Sequence, residues 1–231
     1  MFRFKHFSIR QQQSTMKVGT DGVLIGAWAK TPRPKHILDI GCGTGLISLM
    51  MAQRYPKAHI IGIDIDKSSV EEARYNAQQS IWSERIKIQH IALQDFRIHH
   101  RFDLIVSNPP FFDGSTPSSN IQRNKARFKN SLSLPHLITK SEKLLSKNGR
   151  LAMILPLDQA QECQEKANEN NLFLEYNCKV KGNLKATPKR IMTQFSKSNK
   201  TIKKTSLTIE KDRHKYTPEY IELCRNFYLN F

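Results

Sequence analysis

Two short stretches hold the residue types that can do chemistry. The first is Asn108-Pro109-Pro110-Phe111. Each proline fixes φ and removes an N–H donor, which leaves nearby carbonyls free and rigidly aimed. The Asn108 side-chain oxygen and the Pro109 carbonyl can together accept both hydrogens of one planar amino group. Phe111 offers a flat apolar face for a base or another planar group. The second stretch is Asp39-x-Gly41-x-Gly43-x-Gly45. Glycines there let the backbone take positive φ and pass close to a ligand. Downstream, Asp64 lies 19 residues past Gly45 and can accept hydrogen bonds from both hydroxyls of a ribose. Asp95 can reach an adenine amino group, with apolar neighbours to pack on the ring. Each stretch alone also fits an ordinary turn; it is their order along one chain that joins them.

That order needs elements to hold it. Ile37 to Ile40 reads as a buried strand that runs into the glycine turn, and an apolar helix follows from Leu46 to about Arg54. A second buried strand spans 58–66 and ends in acid. Asp66 is placed to cap a helix over about 67–79, with Val70, Ala73, Ala77 and Ile81 towards the sheet. Arg85 to Ile91 gives a third strand and Leu104 to Ser107 a fourth. A helix over 135–146 and a fifth strand from Arg150 to Leu155 come next, and Asp158 is expected to cap a helix to about Asn170. Leu172 to Val180 and Arg190 to Phe195 read as an antiparallel hairpin, and Ser206 to Glu210 as a short added strand. Pro218 suits the first position of a terminal helix. Strands alternating with helices predict a doubly wound, mostly parallel α/β sheet of seven strands with a C-terminal antiparallel hairpin, its ligands at the strands' carboxyl ends. Near the N-terminus, Thr20 or Asp21 is a candidate N-cap for a helix running through Val23 to Trp28, placed beside the glycine loop. The chain reads as one domain, with residues 1–36 an extension packed on that loop.

The chain carries 37 Lys and Arg against 20 Asp and Glu, a formal net charge of +17, which suggests a polyanionic partner. Nine Lys or Arg and no acid fall between Lys179 and Lys204. Read as a track for RNA phosphates, this stretch supplies Lys181, Lys185, Lys189 and Arg190; read otherwise, it is a solvated loop. Residues 113–133 are polar and basic, include Lys125 and Arg127, and follow the Asn-Pro-Pro-Phe stretch directly, so they could close over a nucleotide. The arm Phe2, Arg3, Phe4, Lys5, His6, Phe7 and Arg10 could contact nucleic acid or pack on the domain. Four widely spaced cysteines with no CxxC pair predict neither a metal site nor a disulfide framework and favour the cytoplasm. No apolar h-region marks a signal peptide and no apolar run spans a membrane.

With these residues in view, the chain resembles the class I S-adenosylmethionine-dependent methyltransferases that modify exocyclic or amide nitrogens. The resemblance rests on Asp39-x-Gly41-x-Gly43-x-Gly45, Asp64 and Asn108-Pro109-Pro110-Phe111. A closer resemblance is to the bacterial adenine-37 N6-methyltransferases of tRNA1(Val). It is carried by Met16-Lys17-Val18-Gly19-Thr20-Asp21-Gly22, Ala27-Trp28, Glu219-Tyr220 and the Phe227-Tyr228-Leu229 ending, so it covers nearly the whole chain. That family often has Asp-Arg-Cys-Ala before the first of these runs, where this chain has Gln12-Gln13-Ser14-Thr15. The resemblance implies S-adenosylmethionine as cofactor, a tRNA substrate and a monomer. It places Thr20, Asp21, Asp39, Gly41, Gly43, Gly45, Asp64, Asp95 and Asn108 around the cofactor, with Asn108, Pro109, Pro110 and Phe111 at the reacting nitrogen. Protein-glutamine and guanine-N2 methyltransferases share the Asn-Pro-Pro motif, and a catalytically idle RNA-binding protein could keep the fold.

Overall fold

A computed structural model describes residues 1–14, 17–110 and 133–231. Phe111, Lys125, Arg127 and the polar segment after Pro110 lie outside the described residues, as do Thr15 and Met16.

Among the described residues nine strands form the main sheet: β3 (His36–Ile40), β4 (His59–Asp64), β5 (Ile86–His90), β6 (Phe102–Ser107), β7 (Leu145–Pro156), β8 (Phe173–Asn183), β9 (Arg190–Ser196), β10 (Lys203–Asp212) and β11 (Lys215–Tyr216). Their spatial order is β11-β10-β8-β9-β7-β6-β3-β4-β5. The strands from β5 to β7 run parallel, and β9 enters antiparallel between β7 and β8. The seven expected strands are there. β10 then extends the sheet parallel to β8, and β11 turns back along β10. A separate ribbon pairs β1 (Phe2–Arg3) with β2 (Ser8–Ile9).

The central strands are apolar on both faces, as strands covered on both sides must be. Along β6, Leu104 and Val106 enter one core and Ile105 the other; along β7, Ala152 and Ile154 alternate in the same way with Leu151, Met153 and Leu155. The first core is covered by α1 (Thr20–Trp28), α2 (Leu46–Arg54), α3 (Lys67–Gln78) and α6 (Pro218–Cys224). The second is covered by α4 (Leu134–Leu144) and α5 (Ala160–Glu169). Helix α1 packs closely on α2: a Cβ added at Gly26 would sit 2.5 Å from Met50 Sδ. The aromatic arm packs rather than projects. Phe4 and Phe7 are buried, Phe4 stacks on Tyr228, and Lys5 Nζ donates to the carbonyls of Arg225 and Phe231. Among the described residues no helix is long and apolar enough to cross a membrane.

Three local expectations are corrected. Helix α1 begins at Thr20 with the extended Gly19 in the capping position, so neither Thr20 nor Asp21 caps it. Asp158 lies inside a short 3-10 turn, Leu157–Gln159, and α5 starts after it without a side-chain cap. Ile81 is 83% exposed because α3 ends at Gln78 and the chain turns away from the sheet. The Asp66 cap is present, its carboxylate accepting from the Ser69 N–H at 3.3 Å. Pro218 does open the terminal helix, and Thr217 Oγ1 caps it by accepting from the Tyr220 N–H.

Candidate active site

Parallel strands bring their carboxyl ends to one edge, so the loops after β3, β4, β5 and β6 are neighbours in space. Ile40 pairs with Ile63 on one side and Ser107 on the other, which sets Gly41 between Asp64 and Asn108. The Ser107 hydroxyl donates to the Ile40 carbonyl at 2.8 Å and ties the two strand tips together.

The glycine loop leaves open space above its first two glycines. Gly41, Gly43 and Gly45 all have positive φ, at 70°, 53° and 84°. A Cβ at Gly41 or Gly43 would meet open space, whereas one at Gly45 would press on Ala73 at 3.3 Å. The first two glycines therefore leave room over the loop, and the third lets α2 approach α3. Asp64 holds the loop from the side: its Oδ2 accepts from the Gly43 N–H at 2.8 Å and its Oδ1 from the Asp66 N–H at 2.9 Å. Each oxygen keeps a second lone pair that can accept a further hydrogen bond. Just beyond, Ile65 is a large apolar side chain left 49% exposed, and its carbonyl is fixed by the His90 ring at 2.9 Å. Asp95 is exposed in the turn after β5, while its neighbours Leu93 and Phe96 are buried.

Beneath the loop, Asp39 is fully buried and accepts from the Ser48 hydroxyl at 2.7 Å through Oδ2. Its Oδ1 has no partner among the described residues. Burial pushes the Asp39 carboxyl up to about 7; the Ser48 hydrogen bonds oppose this and the Asp64 charge adds to it. An unpaired carboxylate oxygen beneath an open glycine cradle fits a polar, cationic cofactor end.

At the end of β6, Asn108 Oδ1 is likewise buried with no partner among the described residues. Buried acceptors are normally paired, and this is one that no described residue pairs. Pro109 is buried and Pro110 exposed. Gly22 of α1 comes beside the amide: a Cβ there would lie 4.0 Å from Asn108 Nδ2 and 3.1 Å from Leu46 Cδ2. The start of α1 thus reaches both the glycine-loop helix and Asn108. Thr20 is exposed at its first turn, and Asp21 Oδ2 accepts from Arg190 Nε at 2.9 Å.

That ion pair corrects the simple picture of a basic track. Arg190 opens β9 opposite Pro156 and Val180, so it lies at the edge where the parallel strands end, but is already joined to Asp21. Lys181, Lys185 and Lys189 stand at the same edge around the β8–β9 turn, with Lys185 and Lys189 exposed. Because β9 reverses direction, Lys197, Lys200, Lys203 and Lys204 are carried to the opposite edge. There Lys197 pairs with Glu142 at 2.9 Å, and Lys200 lines a cavity of about 420 Å³ with Arg33, Lys147 and Arg150. The stretch between Lys179 and Lys204 is two clusters rather than one track.

Sequence reading missed Gly22, Ile65 and the buried pair Glu72 and Asn76 on α3. Only Ile65 left a signal, an apolar residue flanked by two acids at a strand end.

A doubly wound sheet, a glycine loop after β3, an acid after β4 and an asparagine after β6 whose Oδ1 has no partner among the described residues define a class I S-adenosylmethionine-dependent methyltransferase. Residues 15–175 match the methyltransferase small domain family. The chain is 44% identical to a tRNA1(Val) (adenine(37)-N6)-methyltransferase of Trichodesmium erythraeum, covering 100% of this chain and 98% of that one. It is 42% identical to the protein of the same name from Flavobacterium psychrophilum, over 99% of each chain. Among solved structures, one described as a predicted O-methyltransferase from Agrobacterium tumefaciens superimposes with a TM-score of 0.68 at 16% identity, covering 90% of this chain and 96% of that one. The chain belongs to the family of tRNA1(Val) (adenine(37)-N6)-methyltransferases. Its methyl donor is S-adenosylmethionine.

Proposed function

We propose that this chain methylates N6 of an adenine in tRNA, at position 37 of tRNA1(Val), by direct transfer. The observation that carries the reading is the buried Asn108 Oδ1 with no partner among the described residues, at the strand tip beside the glycine loop. The sulfonium of S-adenosylmethionine supplies an activated methyl group, so neither a metal nor a covalent enzyme intermediate is required. An adenine amino nitrogen is a weak nucleophile because its lone pair is delocalised into the ring. Asn108 Oδ1 and the Pro109 carbonyl accept its two hydrogens, which favours a pyramidal nitrogen with the lone pair towards the methyl. Transfer would break the S–CH3 bond as the N–C bond forms, leaving the neutral thioether S-adenosylhomocysteine; the nitrogen becomes cationic and strongly acidic, and a proton leaves to water. Positioning and electrostatics supply most of the rate. Phe111 is the proposed stacking partner for an extruded base.

Around the cofactor we assign Asp64 and Gly43 to the ribose side, Asp95 and Ile65 to the adenine, and Gly41, Gly45 and Asp39 to the methionine side. Thr20 and Asp21 stand at the mouth of the same site. Lys181, Lys185, Lys189, Lys125 and Arg127 are assigned to RNA phosphates, with Arg190 holding Asp21 as well. The chain acts as a single methyltransferase domain, monomeric and cytoplasmic, with residues 1–36 packed on the cofactor side. The backbone hydrogen bonds from Gln12, Gln13 and Ser14 to Glu72 support that placement, and four unpaired buried thiols accord with a reducing compartment. No observation favours a glutamine or guanine substrate.

The test is transfer of labelled methyl from S-adenosylmethionine to unmodified tRNA, followed by nucleoside analysis and position mapping. N6-methyladenosine at position 37 is expected. Label appearing only in protein or in ribosomal RNA would overturn the proposal.

A further inference from the structure

Two buried polar side chains on α3 have no place in the site described so far. Glu72 is 3% exposed and Asn76 is 2% exposed. Glu72 Oε1 accepts from the backbone N–H groups of Gln12 at 2.6 Å and Gln13 at 3.0 Å, and its Oε2 accepts from that of Ser14 at 3.0 Å. Three amides of the N-terminal arm thus converge on one carboxylate. The Ser14 hydroxyl adds a 2.9 Å hydrogen bond with that of Ser69. One turn on from Glu72, Asn76 Oδ1 accepts from the Arg10 N–H at 2.8 Å, and Asn76 Nδ2 donates to the Arg10 carbonyl at 3.0 Å. The same Nδ2 also donates to the Thr44 carbonyl at 2.9 Å. Thr44 lies between Gly43 and Gly45, so one amide group holds the arm and the glycine loop together. Further along the arm, Gln11 Oε1 accepts from the Val18 N–H at 2.6 Å, two residues before α1. Gln12 to Ser14, where this chain departs from its family's usual pattern, is therefore anchored to Glu72 through backbone amides. Any residue but proline supplies such an amide, so the arm keeps its path while its residue types change.

We propose that Asn76 and Glu72 are positioning residues for cofactor binding: they couple the docking of arm residues 10–14 to the conformation of the glycine loop. This rests on the reading of that loop as the S-adenosylmethionine site. The glycines give the loop wide conformational freedom, and the Asn76 bond to Thr44 removes part of it before the ligand arrives. Coupling of this kind is reciprocal: if a docked arm favours the bound loop, a bound ligand must favour the docked arm.

The experiment measures S-adenosylhomocysteine binding by calorimetry in wild type, Asn76→Asp and Glu72→Gln, alongside amide hydrogen exchange at Gln12–Ser14 with and without the ligand. Both variants keep side-chain shape. Asn76→Asp loses the donor to Thr44 and Arg10, and Glu72→Gln turns one acceptor into a donor facing an N–H. Affinity is expected to fall about tenfold or more in each, the scale set by leaving buried polar groups unpaired. In methyl transfer the loss is expected in KM for S-adenosylmethionine rather than in kcat. Folded variants with fast-exchanging arm amides and unchanged affinity would overturn the coupling. Should either variant fail to fold, wild type decides: ligand must slow exchange at Gln12–Ser14, and no change would overturn the proposal. Absence of binding in wild type would instead overturn the reading of the loop.

Discussion

The Gly43 N–H donates to Asp64 Oδ2 across 2.8 Å, joining the glycine loop of β3 to the tip of β4. The carboxylate assigned to the ribose hydroxyls therefore also shapes the loop proposed to hold the rest of the cofactor. Removing it should cost affinity twice over. Asp64→Ala is expected to weaken S-adenosylmethionine binding by about 100-fold, the scale of two charge-assisted hydrogen bonds, with a small change in thermal midpoint because Asp64 is only half-buried. Calorimetry and thermal melts on the same sample check this.

Asp39 makes the chain pH-sensitive in a defined direction. Its folded carboxyl is raised by burial from 3.8 to about 7, so the folded protein keeps a proton that the unfolded chain gives up. This contribution to stability is complete below pH 3.8 and is lost as pH rises through about 7. Asp39→Asn should flatten that part of the profile, seen as urea midpoints that differ less between pH 5 and pH 8 than in wild type. A cationic methyl donor beside the unpaired Oδ1 favours the carboxylate, so binding at pH 7 should release a proton. Calorimetry in two buffers of different ionisation enthalpy measures it.

The two basic clusters should separate in salt titrations. Neutralising Lys185 and Lys189 at the cofactor edge is expected to weaken tRNA binding and to reduce the slope of log K against log salt by about 0.7–0.9 for each phosphate no longer neutralised. Neutralising Lys203 and Lys204, at the far edge, should leave that slope nearly unchanged.

Gly26 is a packing test independent of chemistry. A Cβ there would meet Met50 Sδ at 2.5 Å inside a buried interface between α1 and α2. Gly26→Ala should destabilise by about 1–3 kcal/mol through forced side-chain displacement, read from urea denaturation.

What was legible in the sequence was local. The βαβ units announced themselves because strand, turn and helix periodicities change within a few residues, and α2 runs from Leu46 to Arg54 as read. Asp64 and Asn108 could be paired because parallel strands put successive loops on one edge. What escaped was set by contacts distant in sequence. Glu72 reads as a solvent-facing acid on an amphipathic helix until the arm, about 60 residues earlier, folds over it. Asp21 read as a cap because its partner, Arg190, lies 169 residues away. The basic stretch read as one surface because charge counting ignores the reversal of β9. Gly22 gave no sign that its missing Cβ makes room beside Asn108.

The most direct measurement is single-turnover methyl transfer to unmodified tRNA by wild type and Asn108→Ala, with cofactor affinity determined for both. Asn108 is assigned to the reacting nitrogen, so removing its acceptor should slow transfer by about 100–1000-fold, the range for losing one positioned electrostatic group, with cofactor affinity changed far less. Transfer at the wild-type rate, with N6-methyladenosine still formed at position 37, would contradict the assignment of Asn108 to the reacting amine.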